Sequence, residues 1–551
     1  MLSQTQPVEY QTMVVGAAPL LKHLLDRLGV AQAIDQALRY QPDLPTTYGT
    51  LAQVIIVNRM TFQPQPLYAL AEWAALRGVD RLFDIQAAWL DDDRLGAMLD
   101  GLAKHQVTIW TTLLTAAVQR CQLDLEWLHA DTTSIYFEGA YEQDGQPKDG
   151  GERIPRLLEG YNKDGQRNKL QFVLSLITAG RVPLWFRPWD GNQSNDAVYL
   201  ADMTELRKSV LLPATAVLIG DRKLCNRDTL LAFSRQRQRF LAAHPWTVTA
   251  QERWRAAWRA LQAGDLHWVD VDYVSRNNAR KPQQERPHYR VCEVAHVLPD
   301  PETGQAYSLR WVFSWSSEKA RQDAEQRSKV VEAGGKALER IARLLGKYDY
   351  TTRARIEARV EQALRTAKAQ PYVCVTLAEP TAEHGWRLQW EERLEALAEA
   401  ACFDGVALLC TNVPQEQLSV GEVMVKYKSQ VTVEHTIDFI KSPVQLRPLW
   451  LHSPQRIAGL TLLIMIAVLV ATLLEQEVRH WIAQTGEKLK GLMPEKRDTP
   501  YPTATALLRA FADYAWVVVR QADGGEDVHH PRLRPVQQQI WDIFDLSLPS
   551  G

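Results

Sequence analysis

The chain has 551 residues and a mass of 62.6 kDa, with 46% hydrophobic and 23% charged residues, enough for two or three domains and too apolar for a disordered tail. Its 63 Lys and Arg against 65 Asp and Glu leave a net charge of -2, so it is no uniformly basic coat for nucleic acid, and any polyanion site is local. Six cysteines without a C-x-x-C pair, and a start (MLSQTQPVEYQTM) with neither basic nor apolar leader character, point to reduced thiols and a cytoplasmic protein.

From Leu20 to about Cys121 apolar residues recur at helical spacing, with the first stripe closed by Gly29. The triplet Asp91, Asp92 and Asp93 sits where carboxylates favour a helix start, a cap rather than a metal site. Residues 1–121 hold 9 Lys and Arg against 11 Asp and Glu, so a DNA-reading surface here would be a small face. At Leu125 the pattern changes to strands: LEWLHADTTSIYFE, a hairpin of LQFVLSLI and VPLWFRPW about the turn from Thr178 to Arg181, a helical stretch from Asp196 to Lys208, and TAVLIG ending at Asp221.

Residues 233–370 differ, with 25 Lys and Arg against 16 Asp and Glu, a local excess of nine positive charges. Trp246, Trp254, Trp258, Trp268, Trp311 and Trp315 lie among these arginines. The mixture suits phosphate contact and stacking on unpaired bases, and equally a tryptophan core beneath a solvated basic face. After Pro371 strands return (YVCVTLAE, GVALLCTNV), followed by a segment from Glu416 to Lys441 and the uncharged run from Ile457 to Leu474. That run of 18 residues is at the lower edge of a membrane span, and a helix buried on all sides explains it as well; no membrane association is expected. The end of the chain, from about Asp523, is polar with a short amphipathic segment at 538–544.

Two aspartates stand where apolar strands cross a site or run out, Asp131 in LHADTTS and Asp221 after VLIG. A charge there is costly unless paired or metal-bound, although an aspartate at a strand end is also an ordinary turn residue. In the third segment Tyr427, Gln430, Glu434 and Lys441 are spaced by 3, 4 and 7 residues. On a helix they fall within roughly 60° of one face, presenting a hydroxyl, an amide, a carboxylate and an ammonium in a row. Val431, Val433, Ile437 and Phe439 alternate as in a strand, however, so pattern alone leaves helix and strand evenly matched. His129 and His435 flank the acidic residues and are read as packing or supporting groups.

The ordered set HADTTS, KDGQRNKLQFVLSLITAGRVPLWFRPWDGNQSND, VLIGDR and Y-x2-Q-x3-E-x6-K resembles the bacterial insertion-sequence transposases of the DDE class, in the subgroup whose third motif is Tyr, Arg, Glu and Lys. The resemblance implies an α/β fold: a ribonuclease H-like mixed sheet flanked by helices, interrupted by a large insertion, with an all-helical N-terminal domain. The expected division is an N-terminal helical DNA-binding domain (1–121), the first half of the core (122–232), a basic insertion (233–370), the second half of the core (371–490) and a C-terminal region (491–551). It implies Asp131, Asp221 and Glu434 as catalytic residues and ligands of two Mg2+ ions, for which Mn2+ can substitute, with Tyr427, Gln430 and Lys441 toward DNA. Gln430 departs from the usual Arg, and Lys223 stands where Gly is common. Gly191, Asn192 and Asp196 match a turn whose expected role is structural, and the third motif is expected to be helical. The partners implied are double-stranded DNA, as terminal inverted repeats and target, and at least a second copy of the chain. A metal-dependent nuclease with the same core and a catalytically silent DNA-binding derivative are the alternatives.

Overall fold

The computed structural model describes residues 9–39, 45–61, 63–121, 123–136, 154–160, 169–193, 198–275, 278–381, 384–441, 451, 453–493, 499–521 and 525–546. They form two compact units, residues 1–219 with 430–551, and residues 220–429.

The first unit opens with a strand, β1 (Glu9–Met13), followed by helices α1 (Ala18–Leu28), α2 (Val30–Leu38), α3 (Tyr48–Arg59), α4 (Leu70–Arg77), α5 (Val79–Leu82), α6 (Asp92–Lys104) and α7 (Gln106–Cys121). The helical array is set by its stops and caps. Gly29 ends α1 in the left-handed conformation, and Asp91 caps α6, accepting the Arg94 amide at 3.0 Å, the capping role expected of the acidic triplet. Strands β2 (Trp127–Tyr136), β3 (Leu158–Glu159), β4 (Leu170–Ala179) and β5 (Val182–Trp189) follow, then α8 (Val198–Ser209) and β6 (Val217–Gly220). β4 is antiparallel to both β2 and β5, and β6 returns parallel to β2 after the α8 crossover. This mixed sheet flanked by helices is the ribonuclease H-like arrangement.

The second unit contains α9 (Arg227–Arg235), β7 (Arg239–Ala243), α10 (Val248–Ala263), β8 (Val269–Val271), β9 (Tyr289–Pro299), β10 (Ala306–Ser316), α11 (Ser317–Leu344), α12 (Arg353–Ala367), β11 (Val373–Ala378), β12 (Arg387–Glu392), α13 (Leu394–Ala401), β13 (Val406–Thr411) and α14 (Val420–Lys428). β7, β13, β10, β9 and β8 pair in that order, every pairing antiparallel. The β11–β12 hairpin lies with α11 and α12 around a small core of its own, including Leu338, Ile356, Leu364 and Val373.

The chain re-enters the first unit with α15 (Val431–Lys441), α16 (Pro454–Thr485), α17 (Ala504–Arg509), β14 (Trp516–Arg520), β15 (Glu526–His529) and α18 (Pro535–Ile543). The uncharged run lies within α16, long and apolar enough to cross a membrane, yet its apolar window is entirely covered by the protein. Helices α1, α3, α6, α7 and strand β5 pack around it. Each such leucine, isoleucine or valine taken out of water contributes about 1.5–3 kcal/mol, which explains why a stripe-free apolar helix is tolerated here. Gly459 permits the α6 contact: a Cβ there would lie 2.2 Å from the Leu99 carbonyl oxygen.

The N-terminal region is therefore not all-helical, because β1 pairs antiparallel with β14 from the far end of the chain. A short, mostly polar strand whose partner lies about 500 residues away has no local signature. The C-terminal segment docks, with Ile540, Trp541 and Phe544 buried. Cys225, Cys292, Cys374, Cys402 and Cys410 are free thiols, as expected.

Candidate functional site

Asp131 lies midway along β2, a strand of mostly buried residues, and is itself partly exposed; its Oδ1 accepts the Thr132 amide at 2.7 Å. The side of β2 away from β4 is held by β6, in the register Leu128 to Leu218 and His129 to Ile219. His129 is buried, in keeping with a packing role.

The third motif is helical, but in two pieces. α14 stops at Lys428 and α15 begins at Val431, so Tyr427 and Glu434 do not share one continuous helical face. Ser429 and Gln430 form the break, with α14 in the second unit and α15 in the first.

Gln430 is buried, and its Nε2 donates to the Ala130 carbonyl at 2.8 Å, so it ties the start of α15 to β2 beside Asp131. The amide suits this place because it can donate to a backbone carbonyl without bringing a charge indoors, which an arginine would do. α15 packs on β2 and β4 through Val433, Thr436, Ile437 and Ile440, leaving Glu434, His435 and Asp438 exposed on the opposite side. His435 is thus a surface residue and not packing. Glu434 in the first turn and Lys441 in the last also complement the helix dipole, a structural benefit independent of any chemistry.

Asp221 follows β6 and opens a turn: its Oδ1 accepts the Lys223 amide at 3.0 Å, and the Leu224 amide bonds its carbonyl at 3.2 Å. It belongs to the second unit, as does Tyr427, which is partly exposed on α14. Lys428 extends its ammonium over the Tyr289 ring, 5.2 Å from the centroid. Of the implied site residues, the first unit brings together the elements bearing Asp131 and Glu434, with Lys441 at the far end of the same helix.

Among the described residues no three His, Cys, Asp or Glu side chains gather into a metal-holding group. Asp131, Asp221 and Glu434 each carry carboxylate oxygens, the hard donors that Mg2+ takes.

Gly191 has the structural role expected. A Cβ there would come within 2.0 Å of the Gln171 carbonyl oxygen and 2.4 Å of that of Leu158, while its own carbonyl accepts from Gln171 Nε2 at 2.9 Å. Asp196 lies outside the described residues.

Sequence reasoning did not single out Arg181, Asp202, Thr436 or Glu475. Asp202, on α8, is buried against β5, accepting from Trp185 Nε1 at 3.2 Å with Arg187 3.7 Å away. Burial is the main cause that raises its pKa to about 6, against the opposing pull of Ser175, Arg187, Trp185 and Trp189. Glu475 carried one visible signal, being the first charge after the apolar run.

A family model described as a domain of unknown function (DUF4277) matches residues 10–115, most of the segment preceding β2. No curated protein matches the chain. Similar solved structures include a Mos1 transposase paired-end complex with left transposon end and the Mos1 Strand Transfer Complex, each 14% identical with a TM-score of 0.15, covering 39% of this chain and 62% of that one. Another is the Mos1 mariner paired end complex with Mn, 12% identical with a TM-score of 0.15, over 40% of this chain and 65% of that one. The chain thus spans less than two thirds of the length of these solved chains.

Proposed function

We propose that this chain is a DNA transposase of an insertion sequence, cutting element ends and joining them to target DNA by phosphoryl transfer with Asp131, Asp221 and Glu434. The observation that carries the reading is the seating of α15 on β2. The Gln430 to Ala130 bond anchors the helix beside Asp131, and Glu434 follows about one turn later on the open side. Two carboxylates far apart in sequence thereby ride on directly packed elements, and a third follows the strand parallel to β2.

In this reading Asp131, Asp221 and Glu434 hold two Mg2+ ions, or Mn2+, which supply activation of the attacking oxygen and stabilisation of the leaving oxygen. Asp131 is partly exposed and Glu434 exposed, as side chains that meet a phosphodiester must be. Lys441 offers a point charge for a phosphate near the cut, and Tyr427 a hydroxyl and ring for the DNA backbone or a displaced base. The partners are double-stranded DNA, as terminal inverted repeats and target, and a second copy of the chain that pairs the two ends.

The test uses the full chain, DNA carrying the sequences that flank its reading frame, and Mg2+ or Mn2+. Glu434→Gln and Asp221→Asn are each expected to lower end cleavage by about a thousandfold or more while DNA affinity is retained. Undiminished cleavage by either variant removes the site assignment. Cleavage without strand joining by the unaltered chain replaces the transposase reading with that of a nuclease.

A further inference from the structure

We infer that Arg181 and Glu475 are positioning residues for Glu434, acting through a hydrogen bond that, together with the packing of α15, fixes the rotation of that helix; the inference rests on the role proposed for Glu434. α15 has only 11 residues, and Val431, Thr432, Val433, Thr436, Ile437 and Ile440 are β-branched. A helix so short and so composed is marginal in isolation and takes its geometry from what it is tied to. One tie is Gln430 to Ala130 at its start. The other is Thr436, fully buried, whose single hydroxyl proton is shared between the Arg181 carbonyl at 3.0 Å and Thr432 O within the helix at 3.1 Å.

Thr436 is two residues beyond Glu434, about 200° around the helix. Holding Thr436 inward therefore holds Glu434 outward. The carbonyl that does so belongs to the two-residue turn Gly180–Arg181 between β4 and β5, where Gly180 is exposed and its own carbonyl accepts from Thr178 Oγ1 at 2.9 Å. Residue 181 itself is further tied to the core by its guanidinium, paired at 2.5 Å with Glu475. Glu475 lies on α16, 2% exposed, and is satisfied by two further groups, Arg479 at 2.9 Å and the Ala504 amide at 2.8 Å. A carboxylate buried this deeply is retained only with such partners, and losing one of them leaves a charge stranded in the interior. The path from the packed core through Glu475, Arg181 and Thr436 ends one half-turn from the candidate metal ligand.

Four variants of the full chain test this: Thr436→Val, which keeps the shape and loses the hydroxyl, Thr436→Ser, which restores it, Arg181→Lys and Glu475→Gln. Thr436→Val is expected to lower kcat for end cleavage about tenfold with KM for DNA unchanged, and to weaken calorimetrically measured Mn2+ binding, without DNA or turnover, by about threefold or more. Thr436→Ser recovers both values. Arg181→Lys and Glu475→Gln move kcat and Mn2+ affinity in the same direction. Wild-type kcat and Mn2+ affinity in Thr436→Val overturn the inference, as does a loss that Thr436→Ser does not restore. Should Glu475→Gln fail to fold, the threonine pair decides alone. Glu434→Gln is run alongside: full cleavage by that variant refutes the proposed site, whereas its inactivity together with an indifferent Thr436→Val refutes only the positioning role.

Discussion

The α15 segment and the tryptophan-rich stretch of residues 233–370 pose the same question in sequence and answer it oppositely. Each carries residues suited to DNA, and each can be read as plain structure. On α15 the apolar residues turn to β2 and β4, while Glu434, His435 and Asp438 face out. In the second unit two of the six tryptophans of that stretch turn fully in, and the other four are partly exposed. Trp254 is fully buried, donates to the Cys402 carbonyl at 2.9 Å and packs against Phe313, Trp258 and Trp268 at centroid distances of 4.9, 5.8 and 6.1 Å. Trp311, also buried, stacks on His296 at 4.0 Å. Arg290 is spent between the Trp268 and Trp315 rings, and Arg310 and Arg327 are committed to Glu293 and Asp404. Composition tells which residues a region owns; the period of its apolar residues tells which way they face.

Activity breaks this comparison most sharply. Asp131→Asn is expected to cost about a thousandfold or more in end cleavage, roughly 4 kcal/mol of transition-state stabilisation, with little change in melting temperature. Trp254→Ala is expected to do the reverse. Emptying a fully buried indole site costs about 3–5 kcal/mol of stability, seen as a lowered denaturant midpoint, while the affinity of the remaining folded protein for single-stranded DNA stays as it was. A selective loss of DNA affinity without loss of stability would return Trp254 to the stacking role.

What could be read in advance follows the range of the interactions. β2, β4, β5 and β6 are rich in β-branched and aromatic residues, their hairpin has its turn at Gly180, and α16 is an unbroken apolar run, so each is specified by neighbours in sequence. The break at Ser429 and Gln430 has no glycine or proline to mark it, and the 3, 4 and 7 spacing across it imitates a single helical face. β1 and β14, or Arg181 and Glu475, meet only because the chain returns after hundreds of residues. Asp131 and Glu434 were visible as residues; that Gln430 ties α15 to β2 depends on the Ala130 carbonyl, 300 residues away in sequence.

Asp202 sharpens the contrast between exposed and interior carboxylates through pH. Its pKa rises from 3.8 to about 6 on folding, so the folded chain holds that proton more tightly than the unfolded one. The stability linked to this group is therefore greatest below about pH 3.8, falls as pH rises toward 6 and is level beyond it. The fall amounts to up to about 3 kcal/mol. Asp202→Asn cannot titrate, so between pH 4 and pH 7 the difference in unfolding free energy should move toward the variant by that amount. Urea unfolding of both proteins at the two pH values measures it, and parallel shifts would show that the Asp202 carboxyl is not the titrating group.

The smallest effect concerns Gln430. Gln430→Met keeps the side-chain length and loses the donor to Ala130, which is expected to cost about 1–2 kcal/mol of stability together with a modest drop in cleavage. Gln430→Arg supplies the residue usual at this position in the transposases that the sequence resembles. At a place 6% exposed and directed at a backbone carbonyl, the guanidinium gains no phosphate, so the variant should bind DNA with an unchanged salt dependence. An exposed arginine that met a phosphate would instead steepen the slope of log affinity against log salt by about one. Such a steepening would mean that residue 430 swings outward when DNA is bound, and that the face bearing Glu434 extends across the break between α14 and α15.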